Sequence, residues 1–219
     1  MRLEDAHKKL AYIKGKTVGE IISSFTSKIK EYKINKGGIG QMLLLYLGLP
    51  LDSKLTDFDD GELKTNKVDK DGKSKETIFI TQISSVIDEL IVESPKNFYS
   101  SNLYKKIKNV LIVSVNKDDE DYNNWIFMNC YRFSYEHNSE LYKQFENDYL
   151  TICAQLRDHI MCSKDNFIHT SNGKFIQVRS KDSKPYSSIY SDVFKRNISN
   201  KNHAFYFKKD FMNHVKTKL

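Results

Sequence analysis

The sequence predicts a mixed α/β protein. Residues 3–13 and 17–32 carry apolar side chains at three- and four-residue steps, a spacing typical of amphipathic helices. Residues 109–115 (NVLIVSV) form a short, wholly apolar run, which predicts a central strand. Residues 136–161 return to the helical spacing. Helices and strands are therefore mixed along the chain.

The other elements follow in chain order. Residues 36–48 begin with a flexible glycine pair and continue as a strongly apolar helix, which a Gly-Leu-Pro sequence ends. Residues 60–67 and 76–84 are predicted to be strands joined by the polar turn DKDGKSK, with Gly72 at its tip. Three more strands are predicted further on, at residues 124–133, 174–180 and 203–211, and the polar segment 180–202 separates the last two.

The composition is that of a globular protein. Of the 219 residues, 39% are hydrophobic and 12% are aromatic, whereas disordered chains are poor in aromatic residues. The three prolines stand far apart, and no Pro-, Gly- or Ser-rich hinge divides the chain. We therefore expect a single domain over residues 1–219.

The cysteines and the hydropathy pattern indicate a compartment. Cys130, Cys153 and Cys162 lack zinc-ligand or redox spacing, which predicts buried free thiols in a reducing environment. No apolar run approaches the length of about 20 residues that a membrane span needs, and the N-terminus lacks the apolar core of a signal peptide. We expect a cytoplasmic protein that has no membrane partner.

The basic residues concentrate at one end of the chain. Residues 164–219 contain ten Lys and two Arg against four Asp and no Glu, although the net charge of the whole chain is only +7. Such a basic segment on a near-neutral body is typical of a surface that faces a polyanion such as a nucleic acid. A solvated, lysine-rich surface would give the same count, so both interpretations stay open.

The stretch DFDDGELKTNK, residues 57–67, predicts a metal site. Side chains alternate between the two faces of a strand, so Glu62 and Lys64 share one face and Leu63 points to the other. Asp57 lies upstream, across a turn, and Mg²⁺ relieves the repulsion between two such carboxylates. A metal-bound water with an ammonium group beside it suits phosphodiester hydrolysis. In a chain this rich in Lys, Asp and Glu, the pattern also arises by chance in a solvated turn.

Several segments, taken in order, resemble the MutH family, which contains a mismatch-repair nicking endonuclease and type II restriction endonucleases that cut GATC. DFDDGELKT is the most specific of them. The others are KGGIGQMLLLYLG (36–48), KETIFI (75–80), SSNLYKKIKNVLIVSV (100–115), GKFIQVRSK (173–181) and HAFYFKKDF (203–211).

The resemblance implies a PD-(D/E)xK restriction-endonuclease-like fold, with a mixed central sheet flanked by helices and two lobes around a DNA cleft. It places Mg²⁺, for which Mn²⁺ is expected to substitute, at Asp57, Glu62 and Leu63. It gives Lys64 the positioning of the attacking water, and it matches Lys106 to a lysine implicated in DNA binding and catalysis.

The resemblance also implies a set of DNA-binding residues. By motif position they are Lys36, Gly37, Phe79, Arg179, Lys181, Tyr206, Lys208 and Lys209. Arg179 suits guanine, whose O6 and N7 accept two hydrogen bonds from a guanidinium group. Lys208 and Lys209 suit phosphates, and the family links the tyrosine at Tyr206 to the sensing of adenine methylation. An exposed strand-end arginine and a packed aromatic residue are the structural alternatives for Arg179 and Tyr206.

Two departures from the family pattern bear on the site. The helix after KGGIG usually carries a glutamate, and Leu44 stands there, with the uncharged Gln41 one turn earlier. The spacing between Asp57 and Glu62 is two residues shorter than in the relatives considered. Asp59 or Asp60 could therefore take the role of Asp57.

These features predict a metal-dependent endonuclease that acts on double-stranded DNA. We expect a type II restriction enzyme that cuts GATC. The Lys-, Asn- and Ile-rich composition indicates an AT-rich genome, whereas repair directed by adenine methylation is associated with a narrow group of less AT-rich bacteria. A mismatch-repair nickase of hemimethylated GATC and a catalytically impaired DNA-binding domain are the alternatives. Cutting both strands of a palindrome requires a homodimer or two successive nicks.

Overall fold

The computed structural model describes residues 1–24, 38–51, 56–181 and 188–218. Within these ranges the helices are α1 (Leu3–Ala11), α2 (Val18–Ser23), α3 (Gly38–Tyr46), α4 (Ile87–Ile91), α5 (Asn102–Ile107), α6 (Ser139–Cys162) and α7 (Lys209–Lys218). The strands are β1 (Glu62–Val68), β2 (Ile78–Gln82), β3 (Asn109–Asn116), β4 (Ile126–Ser134), β5 (Ser171–Asn172), β6 (Ile176–Ser180), β7 (Ile189–Ser191), β8 (Arg196–Ser199) and β9 (His203–Phe207). None of the helices in these ranges has the length and apolarity needed to cross a bilayer.

The chain divides into two compact units. The first unit comprises residues 1–76, 107–134 and 213–219, and the second comprises residues 77–106 and 135–212. Each unit has its own sheet, and the predicted mixed α/β class with helices and a mixed sheet is confirmed.

The sheet of the first unit has the strand order β1-β3-β4. β1 pairs with β3 in parallel, with Glu62 opposite Val110, and β3 pairs with β4 in the antiparallel direction, so this sheet is mixed. The predicted central position of the apolar run at residues 109–115 is confirmed, because all six inner residues of β3 are buried between its two neighbours. Helices α1 and α3 pack on this sheet and close its hydrophobic core.

The sheet of the second unit has the strand order β2-β9-β6-β5 and is antiparallel. Its inner face packs on α6, where Phe145 lies 5.8 Å from Phe207 and Tyr149 lies 6.5 Å from Phe205 between ring centroids. The apolar face of a long amphipathic helix thus covers one side of this sheet and leaves the side chains of the other side pointing away from α6.

The strands predicted at residues 60–67 and 76–84 are confirmed as β1 and β2, joined by the turn between Asp69 and Lys73, and they belong to different sheets. Two other local expectations need correction. The polar segment 180–202 contains the hairpin β7–β8, which lacks the apolar alternation that marks most strands. The strand predicted at 203–211 ends at Phe207, and Lys209 begins α7, because the lysine pair and Asp210 favour a helix start over a continued strand.

Candidate active site

Two carboxyl groups meet where β1 begins. The chain turns tightly between Phe58 and Gly61, whose backbone N–H and C=O form a hydrogen bond of 2.9 Å. This turn brings Asp57 back to the start of the strand, where its Oδ2 accepts a hydrogen bond of 2.9 Å from the backbone N–H of Leu63. The Asp57 carboxyl also lies within hydrogen-bonding reach of Glu62, a residue that is only 3% exposed.

Burial raises the pKa of Asp57 to about 6 from its ordinary value of 3.8, and the neighbouring Glu62 carboxyl contributes to this rise. The backbone N–H of Leu63 and the Lys64 ammonium oppose the shift but do not overcome it. A partly buried carboxylate beside a buried one is repelled by it, and Asp57 therefore retains its proton to a higher pH than an isolated aspartate does.

Lys64 supplies the positive charge of the site. Its Nζ lies 3.1 Å from Oε2 of Glu62, and only 15% of its side chain is exposed. The two side chains lie on the same face of β1, as the alternation along the strand predicts. An ammonium group held in this way can orient a water molecule or stabilise a negative charge beside the carboxyl pair.

Asp57 differs from the two other aspartates of the turn in the partners of its carboxyl group. The side chain of Asp59 is 73% exposed and pairs with the amino group of Met1 at 2.9 Å. Oδ1 of Asp60 accepts a 2.7 Å hydrogen bond from the backbone N–H of Leu3, at the start of α1. Of the three, Asp57 is the one whose carboxyl contacts Glu62.

Gly61 makes this turn possible. A Cβ atom at this position would lie 2.4 Å from the backbone oxygen of Asn109 and 2.6 Å from Cδ1 of Leu3, which is closer than real Cβ contacts come. The side chain of Asn109 also donates a hydrogen bond of 3.0 Å to the backbone oxygen of Asp60. The start of β3 therefore holds the turn against the sheet.

Two leucines predicted to lie at or near the site belong to the hydrophobic core. Leu63 is 6% exposed, and Leu44 packs partly buried against the same cluster from α3. A leucine side chain has no donor or acceptor, so only the backbone oxygen of Leu63 could serve as a metal ligand. At position 44 a leucine of the core thus replaces the extra acid that the family resemblance implies.

The carboxyl pair fits a magnesium ion better than a softer metal. Among the described residues, no group of three or more His, Cys, Asp or Glu side chains is arranged to hold a metal. Mg²⁺ needs fewer protein ligands, because it is usually bound by one or two carboxylates together with waters and phosphate oxygens. The raised pKa of Asp57 reflects the repulsion between its carboxylate and that of Glu62, which a divalent cation would relieve.

A second group of predicted residues meets on the four-stranded sheet. We call Phe79, Arg179, Lys181 and Tyr206 the cation–aromatic cluster. The rings of Phe79 and Tyr206 pack edge to face at 5.7 Å, with Phe79 opposite Tyr206 in the register of β2 and β9. Cζ of Arg179 lies 5.7 Å from the Tyr206 ring, and Nζ of Lys181 lies 5.8 Å from the Phe79 ring.

The cluster combines exposed charge with a supporting aromatic layer. Arg179 and Lys181 are exposed, Phe79 is 38% exposed and Tyr206 is 8% exposed. Tyr206 is thus a packed aromatic that supports the Arg179 guanidinium, and cations placed over aromatic faces in this way are held in place without a carboxylate partner.

The remaining predicted residues have different surroundings. Nζ of Lys208 donates a 3.0 Å hydrogen bond to the backbone oxygen of Gly173, whereas Lys209 is exposed at the start of α7. Lys106 lies on α5 and is partly buried. Lys36 and Gly37, predicted to bind DNA, lie outside the described residues.

One buried acid was missed from the sequence. Asp148 of α6 is 2% exposed, and its carboxylate accepts hydrogen bonds from the backbone N–H groups of Lys174, Phe175 and Ile176 at 2.8, 2.6 and 2.9 Å. It therefore anchors the segment that leads into β6. The available signal was an acid on the apolar stripe of a helix, between Phe145 and Ile152, where a charged side chain requires partners.

Comparisons with known proteins agree with the motifs. Residues 48–148 match the family model described as MutH, DNA mismatch repair enzyme MutH, so the predicted resemblance is confirmed over this segment. No curated protein matches the chain. Among solved structures, the chain is similar to one titled "Restriction endonuclease MvaI-cognate DNA substrate complex", with 12% identity and a TM-score of 0.39 over 90% of this chain and 94% of that one.

Proposed function

Because residues 48–148 match the MutH family, we propose that this protein is a sequence-specific endonuclease that hydrolyses phosphodiester bonds of double-stranded DNA. We further propose that it is a type II restriction enzyme that uses Mg²⁺ and cuts at GATC. The observation that carries the proposal is the pair formed by the partly buried Asp57 and the buried Glu62, with Lys64 beside it, at the start of β1.

Each residue of this group has a distinct role in the proposal. Asp57, Glu62 and the backbone oxygen of Leu63 would hold the metal, which would supply charge stabilisation and an acidified water. Lys64 orients the attacking water and stabilises the charge that develops on the phosphate. Lys106 remains a proposed catalytic residue on the strength of its motif position alone.

The second unit carries all of the proposed DNA contacts except Lys36 and Gly37. Arg179 has the hydrogen-bonding geometry to read guanine in the major groove, and the Tyr206 ring beneath it restricts its rotamers. Lys181 and Lys209 are exposed cations suited to phosphates, and we assign Lys208 to the same role through motif position. Lys36, Gly37 and Phe79 complete the proposed set.

The experiment that tests this proposal is a cleavage assay with four matched duplexes. They contain GATC that is unmethylated, hemimethylated or fully methylated, and a fourth lacks GATC. We expect Mg²⁺-dependent cleavage of both strands of the unmethylated duplex, and we expect Lys64→Ala to abolish cleavage while it leaves DNA binding intact. Cleavage of the duplex that lacks GATC would overturn the assignment of GATC as the target, but it would still support endonuclease activity.

Two alternatives predict different results in the same assay. A mismatch-repair nickase would cut one strand, the unmodified one, of hemimethylated GATC. A catalytically impaired DNA-binding domain would bind tightly at low salt without cutting, and Leu44 at the usual acidic position favours this alternative. Native mass spectrometry of the complex with a palindromic duplex distinguishes cleavage by a homodimer from two successive nicks by one protomer.

A further inference from the structure

Gln177 lies in the middle of the outer face of the four-stranded sheet, the face turned away from α6. It precedes Arg179 by two residues on β6, so both side chains point to the same side of the sheet. The intervening Val178 is fully buried on the inner face, which confirms this alternation. Neither the motif resemblance nor the composition singled out Gln177.

The strand register places Gln177 beside the cation–aromatic cluster. Gln177 stands directly opposite Tyr206 on β9, and Tyr206 stands directly opposite Phe79 on β2. Directly opposed side chains in antiparallel strands point to the same face, about 5 Å apart. Phe79, Tyr206 and Gln177 thus form one row across three strands, with Arg179 in the next row.

The carboxamide of Gln177 is available to a ligand. The side chain is partly exposed, and it forms no hydrogen bond with another residue of the described ranges. The Arg179 guanidinium likewise forms no ion pair with an acidic side chain there and rests only on the Tyr206 ring. Two neighbouring side chains with unused donors and acceptors therefore project from one strand of a rigid sheet.

The chemistry of the two side chains is complementary to two different bases. A glutamine can pair with adenine at N6 and N7 through two hydrogen bonds, as an arginine pairs with guanine at O6 and N7. Alternate residues of a strand are about 7 Å apart, which is about twice the spacing between stacked base pairs. Two side chains so spaced can reach base pairs within about two steps of each other along the groove.

We propose that Gln177 is a specificity-determining residue that reads an adenine within about two base pairs of the guanine read by Arg179. This inference rests on the proposed function, because it requires a sequence-specific DNA complex. In this proposal the adenine is read by Gln177 of β6, the strand that also carries Arg179, and Tyr206 lies on the neighbouring strand β9.

The test is a selection of bound duplexes from a random pool with Mg²⁺ present. All proteins carry Lys64→Ala, so that the bound DNA survives. This parent is compared with Gln177→Ala and with a matched control, Asn147→Ala, which removes an exposed carboxamide from α6. We expect the parent and the control to select the same sequence, and we expect Gln177→Ala to lose the preference for one A·T pair while it keeps the guanine.

A modified base then identifies the contact. At the affected position, 7-deazaadenine removes the N7 acceptor and should weaken binding by the parent by about 2- to 12-fold, which corresponds to the loss of one of the two hydrogen bonds. The same modification should not weaken binding by Gln177→Ala any further. Equal losses for both proteins would overturn the inference.

A second variant, Gln177→Glu, tests the same inference if Gln177→Ala folds poorly. In Gln177→Glu the side chain only accepts hydrogen bonds, so preference should shift from adenine toward cytosine at that position. A purely structural role cannot redirect the selected base. If the parent selects a sequence and both variants select the same one, the inference fails and the proposed function stands. If the parent selects no sequence, both fail.

Discussion

Asp57 destabilises the metal-free protein at neutral pH, because burial and the Glu62 carboxyl raise its pKa to about 6. The unfolded chain releases this proton near pH 4, whereas the folded chain keeps it to about pH 6. The Asp57 carboxyl therefore does not lower the free energy of unfolding below pH 4. Its destabilising effect grows as the pH rises from 4 to 6 and is largest above pH 6. The repulsion between the two carboxyl groups is also what the cation of the proposed function would relieve.

We predict that Asp57→Asn stabilises the metal-free protein above pH 6 by about 1–2 kcal/mol, after allowance for the partial exposure of the group, and has little effect at pH 4. The amide oxygen of the substituted side chain would still accept the bond from Leu63. Urea unfolding in EDTA at the two pH values measures the effect. Asp59→Asn is the control, with a change within about 0.5 kcal/mol. Equal effects of Asp57→Asn at both pH values would refute the assignment.

Leu44 offers a second prediction at the residue scale. Helix α3 packs against β1, so a carboxylate at position 44 would add negative charge on the helix that covers the strand carrying Glu62. We predict that Leu44→Glu lowers the Mg²⁺ concentration needed for half-maximal cleavage by several-fold. Leu44→Gln is the matched control, because it loses the same packing but adds no charge. Metal dependence that is unchanged in Leu44→Glu would show that the missing acid does not limit metal binding.

At the scale of elements, Asp148 decides where β6 begins. One carboxylate of α6 fixes three consecutive backbone N–H groups, and Gln144 donates a fourth hydrogen bond of 2.9 Å to it. Gly173 is needed just before this segment, because a Cβ atom there would lie 2.5 Å from the Asp148 side chain. The helix thereby sets the position of the strand on which Arg179 and Gln177 lie.

We predict that Asp148→Asn lowers the free energy of unfolding by about 3–5 kcal/mol, because an amide group would turn a donor toward buried N–H groups. Gln144→Ala removes one bond of the four and should cost only about 1 kcal/mol. Urea denaturation of the two variants gives both values. A loss below about 1 kcal/mol for Asp148→Asn would contradict the anchoring role.

Local sequence patterns predicted most helices and strands, but they did not predict which strands pair or where the hairpin β7–β8 lies. The apolar run of β3 and the amphipathic stripe of α6 report burial directly, so their positions followed from the sequence. The turn at Gly72 was also predictable, but the pairing of β1 with β3 depends on contacts between residues far apart in sequence, such as Glu62 and Val110. The hairpin β7–β8 is too short and too polar to show a period.

The candidate site was predictable in its residues but not in its geometry. The motif named Asp57, Asp59 and Asp60 as alternatives, and only the turn at Gly61 shows which carboxyl reaches Glu62. Likewise, no sequence pattern separates Lys208, which donates to Gly173, from Lys209, which is exposed.

For the whole molecule, the net charge of +7 suits the proposed binding of DNA, and contacts between lysines and phosphates would make that binding dependent on salt. We predict that Lys209→Ala lowers the slope of the logarithm of the binding constant against the logarithm of salt concentration by about 1 without changing stability. Lys208→Ala should instead destabilise the protein by about 1 kcal/mol, because it loses the bond to Gly173. Titrations at several salt concentrations, with melting curves, compare the pair. An unchanged slope for Lys209→Ala would show that Lys209 does not contact a DNA phosphate.

The chain crosses between the two compact units four times, after Glu76, Lys106, Ser134 and Met212. A single recombination event between two genes of this type would therefore replace parts of both units and could not exchange one unit intact. Under the proposed function, new base specificities are thus expected to arise by point substitution on the outer face of the four-stranded sheet rather than by exchange of a whole unit. Gene libraries aimed at changed targets should be built accordingly, by saturation of single codons on β6.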